Sequence, residues 1–316
     1  MRDGEAMRER GRSIPAFIAG VFAICLLPGP PVHAEPSVVA TGAYPEGLLW
    51  HGGRMLFAEM GADRVSIIGK DGARPFWRDA GCGPTSIVPF GTSGYLVNCH
   101  LGGHVVEVTA SGVTGRRFRT APGGVRIQWP NASAGDGQGG VFFSDSGVFS
   151  LDAPATGRVY HLNAGGEITE VVKDLRYANG VAFDTASRML YVSEHLARRI
   201  HVLQLDSSQR VLSSRVFADF AQHAAMRAYS YPLAGPDGIA LRPGFLAVAE
   251  YGEGRVHLLD RGGRHLRTLK VAMPFVDTVV WDGEGAFFAG GAFSNTQPPY
   301  DGRVVRFVPS DWQPSR

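Results

Sequence analysis

Downstream of residue 36, apolar residues come in short runs set between glycine- and aspartate-rich turns, and no long stretch keeps a helical period. That alternation predicts many short strands. One phrase recurs six times: a short apolar strand, a turn, a second strand ending in small or acidic residues, and a third strand opening near Arg, His or Gly. The copies begin at Pro45-Glu46-Gly47, Pro84-Thr85-Ser86, Pro130-Asn131-Ala132, Asn179-Gly180-Val181, Pro236-Asp237-Gly238 and Asp277-Thr278-Val279. Their starts lie about 39 to 58 residues apart, the range for blades of four strands each. The expected fold is therefore all-β, a six-bladed β-propeller. An open seam would leave strand edges exposed, so Ser37-Val38-Val39-Ala40 is expected to supply the outer strand of the last blade. Asp219 to Gly235 departs most from the repeat and predicts an extended loop between blades four and five.

In such a fold the first residues of each innermost strand face a central tunnel. Those places hold Glu46, Asn131, Asn179 and Asp237, with Thr85 and Thr278 expected in the other two blades. Two carboxylates brought together repel unless a cation lies between them. Hard oxygen donors without His or Cys favour Ca²⁺ or Mg²⁺. Taken singly, Pro-Glu-Gly, Pro-Asn, Asn-Gly and Pro-Asp-Gly read as ordinary turns. Their shared place in the repeat is what favours a site. Asn131-Ala132-Ser133 also matches a glycosylation sequon, a use that a tunnel position disfavours.

The N-terminus is a separate matter. Arg8, Arg10 and Arg12 precede an apolar run from Ile14 to Leu27, and Val32-His33-Ala34 offers small residues at a cleavage site. Residues 1–34 thus read as a signal peptide, which predicts a secreted or periplasmic product of residues 35–316 with no membrane attachment. That segment holds four arginines and three acids, leaving 27 basic and 26 acidic residues, a net charge of +1. Scattered charge of this size gives no reason to expect nucleic acid. Cys82 and Cys99 remain after cleavage; an oxidising compartment permits a disulfide, and two buried thiols fit equally. Neither CxxC nor HExxH occurs, so the chain lacks both zinc signatures.

Pro45-Glu46-Gly47, Pro130-Asn131, Ala178-Asn179-Gly180-Val181-Ala182-Phe183, Tyr191-Val192-Ser193-Glu194 and Gly235-Pro236-Asp237-Gly238-Ile239-Ala240 together resemble the senescence-marker-protein/gluconolactonase/luciferin-regenerating-enzyme family. The resemblance runs over almost the whole chain after residue 35. It implies a metal held by Glu46, Asn179 and Asp237, with Asn131 binding metal or substrate, and Asp237 as base or nucleophile. It implies one divalent cation, Ca²⁺ first, with Zn²⁺, Mn²⁺ and Mg²⁺ left open. Sugar-lactone members carry Arg two residues before the first Asn, where this chain has Trp129. An indole offers stacking area and one donor but no cationic fork. With Tyr229 and Tyr231 ahead of Asp237, the entrance reads as apolar and aromatic, and Trp129, Tyr229 and Tyr231 are candidate substrate contacts.

Glu59, Glu194 and Glu250 each precede an Arg by five positions (Arg64, Arg199, Arg255), a regularity that favours structural ion pairs over catalysis. His100 and His195 follow second strands and suit either a proton shuttle or a hydrogen-bonded structural role, the latter favoured. The leading reading is metal-dependent hydrolysis of a small lactone or related ester, apolar or aromatic in character, with Asp237 as base. The rivals are a non-hydrolytic ring-opening or condensing enzyme on the same scaffold and a non-catalytic ligand-binding propeller.

Overall fold

The second strands of the repeat are the places to start, because they are apolar on both faces. Met55 to Glu59 and Leu190 to Glu194 are buried at every position. A strand buried on both faces must lie inside a stack of sheets. The computed structural model describes residues 36–308 and shows that stack; the expected signal peptide lies outside those residues. Six four-stranded antiparallel sheets form blades at residues 45–78, 84–118, 130–175, 178–219, 235–270 and 275–307. The innermost strand of each blade packs against the innermost strand of the next, and the sixth returns to the first. The fold is the six-bladed β-propeller expected from the repeat.

The core is divided in the same way. Six apolar clusters occupy the six interfaces between neighbouring blades. Leu56, Val65 and Trp77 of the first blade, for instance, meet Ile87, Val97 and Val106 of the second. Outermost strands lose this cover, and Ile168–Leu175 is largely exposed or half-buried. Ser37–Ala43 pairs antiparallel with Asp301–Phe307 and completes the sixth sheet, with Thr41 opposite Arg303. Among the described residues the first strand thus closes the ring on the last. Cys82 and Cys99 are joined as a disulfide beside the Pro84–Cys99 register pair of the second blade. Residues 220–234 form the long connection between blades four and five. Among the described residues no helix is long and apolar enough to cross a membrane.

Candidate active site

The phrases that resemble turns are strand interiors. In the first blade Pro45 pairs with Glu59 and Gly47 with Ala58, leaving Glu46 without a partner between them. The same irregularity falls at Thr85 in the second blade and at Asn131, Asn179 and Asp237 in the next three. Each is a β-bulge, which re-aims one side chain out of the ladder. In the sixth blade Val276 pairs with Gly291 and Thr278 with Gly290, so the bulge residue is Asp277. This corrects the expectation for Thr278: Val276 stands where four of the other blades have proline, and the ring gains a third carboxylate.

The glycines that follow three bulge residues are explained by neighbouring backbone, not by a turn. A β-carbon at Gly47 would lie 2.3 Å from the Thr85 carbonyl oxygen, and one at Gly180 would lie 2.0 Å from that of Asp237. At Gly238 the distance to the Asp277 oxygen would be 2.6 Å. Hydroxyls also fix carbonyls at the bulges. Thr85 Oγ1 donates to the Pro130 and Asn131 oxygens at 3.2 and 2.9 Å, and Ser193 Oγ donates to the Asp237 oxygen at 2.7 Å. Thr85 is therefore a tie between blades and does not serve as a donor to the tunnel.

Glu46, Asn131, Asp237 and Asp277 line cavities on both sides of the bulges and form a waist between them. One cavity, about 320 Å³, runs down an apolar shaft past Val181, Phe183 and Trp281. The other, about 490 Å³, opens among Tyr44, His100, Phe149, Tyr177, His195 and Tyr251, and Asn179 faces it. Among the described residues no Lys or Arg lines either one.

Burial raises all three acids, and neighbouring carboxylates add to it for Glu46 and Asp277. Burial lifts the Glu46 carboxyl well above its ordinary range; the charge of Asp237 adds to this, and a hydrogen bond with Asn131 opposes it. Burial, then Glu46, then Asp237 do the same to Asp277. Burial also raises Asp237, held back by His195, by Asn179 and by the Gly238 amide. Asn179 Nδ2 donates to Asp237 Oδ2 at 2.8 Å and lies 3.3 Å from His195 Nδ1. His195 Nε2 sits 2.9 Å from the Leu233 carbonyl oxygen and so donates to it, and Nδ1 faces Asp237 Oδ2 at 3.6 Å. Two buried acceptors lining the wider cavity have no donor among the described residues, Asn179 Oδ1 and Asp277 Oδ2.

The wall of the wider cavity is aromatic. Burial and the nearby carboxylates push the Tyr44, Tyr177 and Tyr251 hydroxyls up, keeping them protonated donors. Asn295 Nδ2 donates to Tyr251 at 2.8 Å and to Tyr231 at 3.2 Å. Burial lowers His100 to about 4, with its Nδ1 3.3 Å from the Pro130 oxygen.

The expected substrate contacts are scattered. Trp129, 36% exposed, lies with its ring 5.6 Å from that of His100, and His100 is the residue on the wall. Tyr231 stands behind Tyr251 and Asn295. Tyr229 is outside the cavity: its ring packs under the Arg198 guanidinium at 3.8 Å, against the core between blades four and five. The residues that sequence reading missed are Tyr44, Tyr177, Tyr251 and Asp277. A signal for two of them was present, because Tyr44 and Tyr177 stand two places before Glu46 and Asn179, as Trp129 does before Asn131. Both tyrosines take left-handed backbone, at φ 58° and 63°, where the second blade has Gly83 at 51°. Holding a tyrosine so costs on the order of 1–3 kcal/mol, a strain typical of functional positions.

Residues 44–309 match the family model described as the SMP-30/gluconolactonase/LRE-like region. The chain belongs to that family. Among curated relatives, lactonase drp35 of Staphylococcus haemolyticus is 31% identical over 130 residues, 40% of this chain and 37% of the relative. The match thus spans little more than a third of that relative's length. Among solved structures, a luciferin-regenerating enzyme superimposes with a TM-score of 0.69 at 18% identity, covering 86% of this chain and 95% of the other. The calcium-binding protein regucalcin of Agrobacterium tumefaciens follows at 0.66 and 14%, covering 86% and 92%. At these identities the structural likenesses speak for the fold.

Proposed function

We propose that this member of the family hydrolyses a lactone or related ester with the help of one divalent cation at the waist of the tunnel. The observation that carries the reading is the charge of the shaft. Half-buried Glu46 meets buried Asp237 and Asp277, no Lys or Arg among the described residues lines the cavities, and Asn179 Oδ1 and Asp277 Oδ2 lack donors. Buried carboxylates need a cation or protons to be tolerated. Oxygen-only donors, amide and carboxylate mixed, fit Ca²⁺ best, and Glu46, Asn131, Asn179 and Asp237 would hold it. Calcium binding in the regucalcin neighbour and the lactonase name of the drp35 relatives support the same reading.

A bound cation supplies positive charge that polarises the ester carbonyl and offsets the developing oxyanion, worth several kcal/mol in the transition state. The chain's own residues do the rest. Asp237 takes the proton of the attacking water. Asn179 holds its Oδ2, and His195 Nδ1 stands 3.6 Å away as the next proton acceptor while Nε2 stays committed to Leu233. The protonated tyrosine hydroxyls offer donors to the substrate. Phe149 and the tyrosine rings give an apolar wall that excludes water and suits an alkyl or aryl group better than a sugar. The disulfide and the N-terminal pattern support export to an oxidising compartment, with a small molecule as the partner.

The test assays the purified chain on aryl, alkyl and sugar lactones and on aryl esters, with Ca²⁺ and after chelation. Turnover is expected to favour alkyl and aryl lactones and to vanish with the ion. Glu46→Gln should weaken cation binding sharply. Asp237→Asn should keep the ion through its amide oxygen yet lose on the order of 10²–10⁴ in rate. Full turnover by protein whose metal content is shown to be zero would overturn the reading.

A further inference from the structure

The bulge ring is asymmetric in charge. Amides come from blades three and four, at Asn131 and Asn179, whereas carboxylates come from three consecutive blades: Asp237 on the fifth, Asp277 on the sixth and Glu46 on the first. Asp277 therefore stands between the other two acids around the ring. It is buried at 3% exposure, lines both cavities, and its Oδ2 has no donor. Among the described residues no guanidinium or ammonium lines the shaft to answer its charge.

We infer that Asp277 is a third carboxylate of the cation cradle and makes the site select by ionic charge, favouring a trivalent ion over Ca²⁺ more strongly than a two-carboxylate cradle would. The inference rests on the proposed cation site. Two carboxylates balance a divalent ion; the third leaves one charge over, which a trivalent ion of similar size would match. Coulomb attraction to a carboxylate is half as large again for a trivalent ion as for a divalent one. Amide dipoles favour the higher charge by less than a full negative charge does, so most of the preference resides in Glu46, Asp237 and Asp277. The bulge position also explains why only Asp277, and not Thr278, joins the ring: Thr278 is back in the ladder opposite Gly290.

Terbium is a suitable probe because Tyr44, Tyr177 and Tyr251 surround the cavity and can sensitise its emission. Chelator-stripped full chain is titrated with Tb³⁺ and then competed with Ca²⁺, for the wild type, Asp277→Asn and Glu46→Gln. Asp277→Asn should reduce Tb³⁺ affinity by about tenfold more than Ca²⁺ affinity, narrowing the ratio. Stripped Asp277→Asn should also melt above stripped wild type, since one of three facing acids is gone, and lose that advantage when Ca²⁺ is added. If Asp277→Asn folds poorly, Asp277→Thr gives the same comparison with the residue type that the second blade carries there. An unchanged Tb³⁺ to Ca²⁺ ratio in these variants, with both affinities lowered in Glu46→Gln, would remove Asp277 from the cradle and leave the cation site standing. Failure of wild type to bind either ion would instead overturn the cation site itself.

Discussion

At Gly180 a single methyl group decides whether two blades can meet. A β-carbon there would lie 2.0 Å from the Asp237 carbonyl oxygen and 2.8 Å from its carbon, and backbone cannot swing aside as a side chain can. Gly180→Ala should push the fifth-blade bulge outward, cost about 1–3 kcal/mol in stability and weaken Ca²⁺ binding, as read by melting and calorimetric titration. Gly135→Ala is the control, since nothing lies within 4 Å of a β-carbon there. Equal tolerance of the two substitutions would show that the close approach is unimportant. The same glycines explain what could be read from the sequence at this scale. Glu46, Asn131, Asn179 and Asp237 were legible because they share one place in the repeat. Their conformation was not, because a glycine required by a neighbouring carbonyl looks in sequence like one required by a turn. Asp277 was hidden by its neighbour: with valine in the proline's place, the sixth copy slides by one residue and Thr278 takes the wrong position.

Pairs of strands carry a second repeated device. Glu59, Glu194 and Glu250 sit directly opposite Arg64, Arg199 and Arg255 in the second and third strands of three blades, with Nε–Oε distances of 2.5, 2.6 and 2.6 Å. The spacing of five was legible because a short connection puts the end of one strand in register with the start of the next. Two places further, Ser66, His201 and His257 also reach the same carboxylates. Two of the glutamates accept an amide from the incoming connection, Glu59 from Ala43 at 3.0 Å and Glu194 from Arg176 at 2.9 Å. They therefore anchor the approach to the next bulge and have a structural role. For Glu194, burial works against ionisation, but hydrogen bonds from His201, Arg199 and the Arg176 amide outweigh it and hold the carboxyl at about 2. A depressed acid stabilises the fold fully above its unfolded value near 4.5 and loses that contribution as pH falls toward 2. Glu194→Gln should cost about 2–3 kcal/mol at neutral pH, with the gap to wild type closing between pH 4.5 and 2 in denaturant titrations. A gap independent of pH would mean that shape, not charge, is at stake. Tyr229 was misread at this same scale, because the connection between blades four and five has no period to show which of its tyrosines turns inward.

For the whole molecule the decisive feature is closure. The six apolar clusters are interfaces between blades, so no blade has a core of its own and each depends on both neighbours. The repeat made this architecture legible, since only a ring lets six copies of one amphipathic unit bury both faces. Closure rests on Ser37–Ala43, which pairs with Asp301–Phe307 and contributes Ala40 to the cluster between the sixth and first blades. Deleting residues 37–43 would bare the edge of Asp301–Phe307 and loosen the joint at which strands far apart in the chain meet. The deletion variant should melt lower by about 10 °C or more and self-associate on size exclusion. It should also lose Ca²⁺ affinity, although residues 37–43 do not line the site, because Glu46 and Asp277 face each other across that joint. Moving the same seven residues to follow residue 308, in a permuted chain that starts near Tyr44, should restore all three properties. Restored melting without restored cation affinity would separate closure of the ring from alignment of its acids, and would show that the site does not depend on the sixth blade's joint.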